Sequence, residues 1–287
     1  MSNRILVTGA TGKIGGAVAT QLLDRGVPFR AMVHRDDARA ARLRNLGAEV
    51  VVADMLDIQQ VTAAMAGIDR LYFNPPYHPH ALDSAVAFAI SARRAGVEAV
   101  VALGQWLASP EHPSLMTRQA WLTDKLFALL PDTAHVAVGE ALGRRVRHID
   151  IPPWMFMRAV RVNAKRLGAD LFFQSSLRHY LPEHGLGTGE VGGPTTHVRD
   201  VAGVEPEDFA TIARRYVTGP ESRRTAGNFI RQVRDFVLTG LVPMHRLDKF
   251  DRVQQHPQPA RPRLSGRSPV WRGEHAATVE LEKVAAR

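Results

Sequence analysis

The stretch VTGATGKIGG, residues 7–16, decides the fold of the first half of this 287-residue chain. It places three glycines, Gly9, Gly12 and Gly15, between a short apolar run and a helical pattern. The first glycine permits a tight turn, the second lets backbone N–H groups approach a pyrophosphate, and the third lets the helix pack closely on its strand. The N-terminus of the helix adds a dipole and free donors for an anion. The stretch therefore predicts a dinucleotide-binding turn.

Strand and helix patterns alternate through the first 130 residues. Apolar runs lie at 4–9, 29–35, 49–54, 70–74 and 99–106, and helical patterns lie at about 13–25, 36–47, 58–67, 81–95 and 115–130. The runs are apolar throughout, which is typical of strands buried on both faces. Short connections between strand and helix favour a parallel sheet with helices on both sides. We predict an α/β fold, a doubly wound parallel sheet of the Rossmann type, with a reduced, mainly helical C-terminal part.

The pattern changes after Pro131. We expect a short sixth strand at 133–138, another strand at 146–151, helices at 154–167 and 205–217, loop at 175–205, and an extended or mobile tail at about 254–273. The predicted domains are an NAD(P)-binding domain at 1–138, a helical, substrate-side region at 139–253, and a basic Pro/Arg-rich tail at 254–287.

Composition excludes several classes of function. The chain has no cysteine, which excludes disulfides, thiol nucleophiles and iron–sulfur sites. Its formal charge is +9, but 32 of the 37 basic residues are scattered arginines, so we expect no nucleic-acid partner. His78 and His80 have no carboxylate partner placed by a helix, and no metal site is expected. No apolar run reaches membrane-spanning length, and we expect a soluble, cytoplasmic protein.

Arg35 predicts the choice of cofactor. It follows the second strand, 20 positions after Gly15, where enzymes that prefer NAD place an acid for the ribose hydroxyl. An arginine there can bind a 2′-phosphate, and Lys13 is a second candidate cation, so we predict NADP(H) over NAD(H). In the alternative, Arg35 is a solvated residue at a helix start and Asp36 weakens the pocket. Asp54, after the third strand, is placed to contact the adenine or is an exposed loop acid.

The remaining cofactor candidates lie in the glycine loop, at the end of the fourth strand and on the fifth helix: Thr8, Thr11, Ile14, Asn74 and Lys125.

VTGATGKIGG, the His34-Arg35 pair and the ADMLD stretch at 53–57 resemble the atypical short-chain dehydrogenase/reductases. HPSLMTRQAWLTDK at 112–125, GEALGRRVRHIDIP at 139–152 and the segment at 196–217 resemble their NmrA-like branch. This resemblance implies a bound NAD(P) and one of two kinds of protein. One kind is a reductase, quinone reductases among them, and the other is a nucleotide-ratio sensor that regulates a partner.

The chain departs from the usual catalytic pattern of short-chain dehydrogenases. None of its four tyrosines precedes a lysine by four residues, and the matching frame is Trp121 to Lys125. An indole N–H cannot give up its proton, so Trp121 cannot act as the acid. Gly104 stands where the family's serine is expected. Lys125 is therefore a candidate for holding the ribose, or a solvated surface residue.

A second departure concerns length. In the family, several dozen residues separate the strand after the fifth helix from the GEALGR-like stretch, and here PDTAHVAV at 131–138 joins it almost directly. We expect a reduced substrate pocket and an exposed apolar seam near 130–150. Two hypotheses follow. The protein is an NADPH-dependent oxidoreductase that reduces a small conjugated or quinone-like acceptor, or a non-catalytic NADP(H)-binding regulator that acts on a protein partner.

Overall fold

A computed structural model describes residues 4–130, 133–136, 152–186, 188 and 225–275. The chain divides into two compact units. The first comprises Met1–Pro110 and Met116–Val138, and the second comprises Glu111–Leu115 and Gly139–Arg287. The last residues of the connection between the fifth strand and the fifth helix, Glu111–Leu115, therefore group with the C-terminal unit, which the predicted boundary at 138 does not include.

The first unit is built on a parallel sheet of six strands: β1 Ile5–Val7, β2 Phe29–Val33, β3 Glu49–Val52, β4 Arg70–Phe73, β5 Ala99–Leu103 and β6 Thr133–Val136. Their order is β3-β2-β1-β4-β5-β6, and every neighbouring pair is parallel. This order confirms the predicted doubly wound fold, because it reverses direction between β1 and β4. The sixth strand is present and ends at Val136.

Five helices connect these strands: α1 Lys13–Asp24, α2 Ala38–Asn45, α3 Ile58–Met65, α4 Ala81–Ala95 and α5 Leu115–Phe127. Their ends follow capping rules. The carboxylate of Asp37 accepts the N–H groups of Arg39 and Ala40 at the start of α2, and Gly96 ends α4 in the left-handed conformation. The cap of α2 is Asp37 and not its neighbour Asp36. The fifth helix ends three residues before the predicted Leu130.

The sheet is covered on both faces, as the continuous apolar strands predict. One core contains Leu6, Leu71 and Phe73 from the strands and continues into α3 and α4. Within it, the ring of Phe73 lies 5.0 Å from that of Phe88 and 5.1 Å from that of Phe127. A second, smaller core packs α1 and α2 against the opposite face.

The second unit is helical where it is described: α6 Pro153–Val162, α7 Ala164–Leu167, α8 Leu171–Leu177, α9 Tyr180–Gly185, α10 Ala226–Leu241, α11 Leu247–Gln254 and α12 Pro269–Glu274. The predicted helix at 154–167 is interrupted at Asn163, whose backbone N–H still bonds to Ala159. The loop expected from 175 is wrong as far as Gly185, because α8 and α9 occupy those residues. The predicted strand at 146–151, the helix at 205–217 and most of the apolar seam lie outside the described residues.

The expected extended tail is also wrong between residues 265 and 274. Ser265–Arg267 forms a 3₁₀ turn, and α12 follows it with Trp271 almost fully buried. The backbone N–H of Arg263 donates to the carbonyl of Glu111 at 2.8 Å, and the hydroxyl of Ser268 donates to the Glu111 carboxylate at 2.7 Å. Across the described residues, no helix is long and apolar enough to cross a membrane.

Candidate functional site

The glycine loop between β1 and α1 is shaped by close backbone contacts. Gly9 has φ +61°, a conformation that favours glycine. A Cβ added at Gly15 would lie 2.4 Å from the carbonyl oxygen of Gly9, so only glycine fits at this position. A Cβ at Gly12 would lie 3.1 Å from the same oxygen. The loop is therefore folded tightly against the first turn of α1.

The first turn of α1 presents free backbone donors. The N–H of Gly16 bonds to the carbonyl of Gly12 at 2.9 Å, which is the first bond of the helix. The N–H groups of Lys13, Ile14 and Gly15 precede it and have no acceptor among the described residues. Gly12 caps the helix without a side chain that could occupy these donors. Together with the helix dipole, the three N–H groups form a site for an anion.

Thr8 fixes the loop against the neighbouring strand. Its hydroxyl accepts the backbone N–H of Asn74 at 2.7 Å, and its own N–H donates to the carbonyl of Tyr72. Thr8 is fully buried, and its side chain holds the loop against the end of β4. The amide nitrogen of Asn74 lies 3.1 Å from the place of a Cβ at Gly9. The ends of β1 and β4 therefore meet at the switch point of the sheet, where Rossmann folds bind ligands.

Two exposed cations lie beyond the carboxyl ends of the neighbouring parallel strands β1 and β2. Lys13 begins α1 and Arg35 follows β2, and within the described residues neither has an ion-pair partner. The two neighbouring acids are engaged elsewhere. Asp36 pairs with Arg44 at 2.7 Å, which lowers the pKa of the Asp36 carboxyl. The pairing of Asp36 with Arg44 therefore opposes the predicted weakening of the pocket by Asp36.

Arg39 is a third cation at the loop, and its position was not predicted from the sequence. Its guanidinium pairs with the cap residue Asp37 at 2.7 Å and lowers the pKa of that carboxyl. The same guanidinium donates to the carbonyl of Thr11 at 3.4 Å. Its spacing from Asp37 predicts a position in the first turn of α2, but no signal in the sequence indicates the contact with Thr11.

The other loop candidates differ in exposure. Thr11 is half-buried and uses its carbonyl for Arg39, whereas the side chain of Ile14 is 44% exposed. Asp54 follows β3 and is half-buried; its Oδ1 accepts the N–H of Leu56 at 2.9 Å. Its backbone N–H donates to the side chain of Gln60 at 2.9 Å, which fixes the turn. One carboxylate oxygen of Asp54 makes no bond to the described residues.

These features fit the pyrophosphate of a dinucleotide. The position of Gly15 has no room for a side chain and that of Gly12 is tight, the first turn of α1 offers three donors, and cations lie on α1 and after β2. A nucleotide held there would place its phosphates at the helix N-terminus.

Comparison with known proteins agrees with this geometry. Residues 9–151 match the family described as NAD(P)H-binding. Over 72 residues the chain is 45% identical to an NmrA-like family domain-containing oxidoreductase of an Aspergillus species, covering 24% of this chain and 21% of that protein. The N-terminal half of the chain is therefore similar to NAD(P)H-binding proteins, an NmrA-like oxidoreductase among them.

Two further proteins match longer stretches of this chain. Over 130 residues it is 29% identical to the NAD(P)H azoreductase of Xenophilus azovorans, covering 41% of this chain and 45% of that protein. The NADPH-dependent quinone oxidoreductase of Escherichia coli, solved with NADPH, is 26% identical over 43% of this chain and 44% of that chain, with a TM-score of 0.38. This chain thus spans less than half the length of the curated relatives that it matches.

Trp121 and Lys125, the frame that matches the tyrosine and lysine of short-chain dehydrogenases, lie on α5. Lys125 is exposed, with its Nζ 5.3 Å from the centre of the Trp121 ring, so the tryptophan that replaces the usual tyrosine contacts the lysine. Asp124 lies close to Gly104, with its Oδ1 3.3 Å from the place of a Cβ there. A carboxylate therefore borders the position of the family's serine, a contact that the sequence analysis missed because the two residues lie on different elements.

A second polar cluster, also missed, lies in the C-terminal unit. His112 and Glu183 are both almost fully buried, with Nε2 of the imidazole 3.3 Å from Oε1 of the carboxylate. The N–H of Ser114 donates to Nδ1 of His112 at 3.0 Å, so the ring proton lies on Nε2 and faces Glu183. The carboxylate also accepts the backbone N–H groups of Ser265 and Gly266.

The charge of Glu183 is held by these donors. Burial raises the pKa of its carboxyl, but the hydrogen bonds from His112 and from the N–H of Ser265 outweigh burial and lower the pKa to about 2. The cluster joins Glu111–Leu115, α9 and the turn at Ser265. A carboxylate whose lone pairs are occupied in this way is a structural anchor of the unit, because it has little capacity left for a substrate.

Proposed function

We propose that the chain is an NADPH-dependent oxidoreductase that reduces a small conjugated or quinone-like acceptor without a tyrosine acid. The observation that carries this proposal is the glycine loop, with three free N–H donors beside two cations that form no ion pair within the described residues. The relatives named as reductases support the reaction class, and the name of the Xenophilus azoreductase is consistent with a conjugated acceptor.

The preference for NADPH rests on Arg35. Its neighbours Asp36 and Asp37 are neutralised by Arg44 and Arg39, so neither acid competes for its charge or repels a phosphate. A charge-assisted hydrogen bond to a 2′-phosphate contributes about 1.5–3 kcal/mol, which corresponds to a preference of ~10- to 100-fold over NADH. Lys13, at the start of α1, would add to this attraction.

The residues on α5 limit the reactions that are possible without the usual tyrosine acid. A bound NADPH would supply the hydride. Lys125 is the candidate for holding the nicotinamide ribose, and Trp121 shields one side of the lysine without offering a proton. An acceptor that takes its proton from solvent after receiving the hydride suits such a site, which favours quinone-like and conjugated compounds over simple ketones.

We propose further that nucleotide and acceptor binding divide along the chain, with the dinucleotide on residues 1–138, the acceptor on 139–253, and 254–287 as a basic C-terminal segment. A groove of about 420 Å³ between α6 and α10 supports a binding role for the middle region. Its lining combines apolar and basic side chains, including Met155, Ala159, Phe236, Arg166 and Arg231. Grooves of this size accommodate small organic ligands.

Titration of the purified chain with NADPH and NADH tests cofactor binding. We expect NADPH to bind ~10- to 100-fold more tightly, and Arg35→Ala to abolish the difference. Arg94→Ala, which removes an exposed arginine on α4, is the matched control and should leave both affinities unchanged. Equal affinities in the unmodified chain would contradict the assignment of Arg35.

A panel of quinones tests the proposed reduction. The oxidation of NADPH is followed by the loss of its absorbance.

A second function is favoured by Trp121 and Gly104, which stand in place of the usual catalytic tyrosine and serine. In that case the chain binds NADP(H) and regulates a protein partner. Tight NADPH binding without turnover of any acceptor in the panel would support this regulator and contradict the oxidoreductase.

A further inference from the structure

Helix α10, Ala226–Leu241, packs against α6 and carries an exposed apolar stripe that reaches the groove at α6 only through Phe236. The stripe consists of six large apolar side chains, each between 46% and 74% exposed: Phe229, Ile230, Val233, Phe236, Val237 and Leu241. At about 100° per residue, these positions fall within roughly 140° of the helix circumference. A contiguous apolar patch of this kind on an exposed helix face marks a surface for contact with protein.

The helix is anchored so that this stripe faces outward. Thr239 is buried on the other side of the helix, and its hydroxyl donates to the carbonyl of Asp235 at 2.7 Å. Arg158 of α6 donates to the carbonyl of Gly240 at 3.2 Å, and Arg161 donates to that of Pro243. Rotating the helix to bury the stripe would break these contacts. A partner must therefore come to the helix.

The area of the stripe matches one side of a stable protein interface. The exposed parts of these six residues amount to roughly 700 Å², and each partner contributes about 600–1,000 Å² to an interface of standard size. The largest apolar patch of a typical monomer is smaller, about 300–600 Å². Asp235 lines the groove at α6 and pairs with Arg234 at 2.8 Å, and Arg234 borders the stripe beside Ile230 and Val237. The stripe itself therefore fits an apolar partner of equal length.

We propose that this partner is a second copy of the chain, and that two α10 helices pack antiparallel about a twofold axis. The stripe is self-complementary in this arrangement, because the twofold axis near residue 235 places Phe229 of one copy against Leu241 of the other. Val233 and Val237 then form the centre of the contact. With a rise of 1.5 Å per residue, the two copies of residue 237 are offset by roughly 6 Å along the direction of the helices, and those of residue 241 by roughly 18 Å.

Sedimentation of the full chain between 1 and 100 µM tests the association. We expect a dimer, and Val237→Glu is expected to raise its dissociation constant by more than about 100-fold because it buries two like charges at the centre. Leu129→Glu is the matched control, since Leu129 is 82% exposed at the end of the first unit and lies outside the stripe. It should leave the dimer unchanged.

Single cysteines test the antiparallel register. The natural chain has none, so cross-linking carries no background. In a mixture of Val233→Cys and Val237→Cys chains we expect disulfide-linked dimers of the two variants under mild oxidation, because residue 233 of one copy lies opposite residue 237 of the other. We expect Leu241→Cys to form few such dimers, because a disulfide requires Cα atoms within about 7 Å. Efficient cross-linking at Leu241 and none between residues 233 and 237 would overturn the antiparallel arrangement.

Other occupants of the stripe give different results. A monomer at every concentration overturns the proposal, and so does a dimer that Val237→Glu leaves intact, because another surface then makes the contact. A monomer that co-sediments with phosphatidylcholine vesicles through the stripe, and loses this binding in Val237→Glu, would overturn it in favour of a lipid surface.

Discussion

Replacing Glu183 by glutamine should make the C-terminal unit less stable at neutral pH and less sensitive to acid. The carboxyl has a pKa of about 2 in the folded chain, against an ordinary value of 4.5. The unfolded chain therefore binds more protons between these values, and acidification favours unfolding. The charged form contributes about 3 kcal/mol to the free energy of unfolding. This contribution is complete above pH 4.5 and is lost as the pH falls toward 2.

Glutamine keeps the size of the side chain but cannot accept all the donors. His112 presents its Nε2–H to the carboxylate, and its ring cannot be turned without losing the bond from Ser114 at Nδ1. An amide group placed against that donor leaves a buried polar group unpaired, at a cost of about 1–3 kcal/mol. We therefore expect Glu183→Gln to lower the free energy of unfolding by about 3 kcal/mol at pH 7, and by much less at pH 3.

Urea unfolding followed by tryptophan fluorescence at pH 7, 5, 4 and 3 measures both effects. Trp271 reports on the same unit because it is buried close to the anchoring turn. Glu98→Gln, an exposed carboxylate in the first unit, is the control and should keep the pH dependence of the unmodified chain. If Glu183→Gln and the unmodified chain lose stability equally between pH 5 and pH 3, the carboxylate is not held in its charged form as described.

Three further substitutions test the first unit. Gly15→Ala should abolish binding of NADPH in a fluorescence titration, because its Cβ would lie 2.4 Å from a backbone oxygen; Gly16→Ala, 3.2 Å from its nearest neighbour, should bind nearly as the unmodified chain does. Asp37→Ala removes the cap of α2 and should lower the unfolding free energy by about 1 kcal/mol in thermal denaturation, and no loss would contradict the cap. Phe73→Ala removes a fully buried ring and should cost about 3–5 kcal/mol, measured by urea unfolding; a cost below 1 kcal/mol would show that the core can collapse around it.

The sheet and its loop were predictable because their signals are local. Continuous apolar runs, capping acids such as Asp37 and the three glycines each act within one turn or strand, so their spacing in the sequence determines their geometry. The exposure of individual side chains and the partners of charged side chains were not predictable in this way. Arg39 reaches Thr11 only because α2 packs beside α1, and nothing in the sequence near either residue indicates that contact.

The C-terminal unit resisted prediction for a related reason. Residues 265–274 are rich in polar and basic residues, which is typical of a mobile segment, yet Ser265 and Trp271 are buried through contacts with residues far away in the sequence. Composition describes how much apolar surface a segment can bury, but here the short segment also has one buried ring and hydrogen bonds to Glu111 and Glu183.

The grouping of Glu111–Leu115 with the C-terminal unit has a consequence for how the chain acquires its structure. During synthesis this loop leaves the ribosome long before its partners, since Ser268 follows Glu111 by 157 residues. The imidazole of His112, which is buried in the folded chain, therefore stays in water until Ser268 and its neighbours have been synthesised. Contacts of such long sequence separation slow folding. An expression fragment that stops at residue 138 would retain the dinucleotide sheet but leave this loop permanently without its partners.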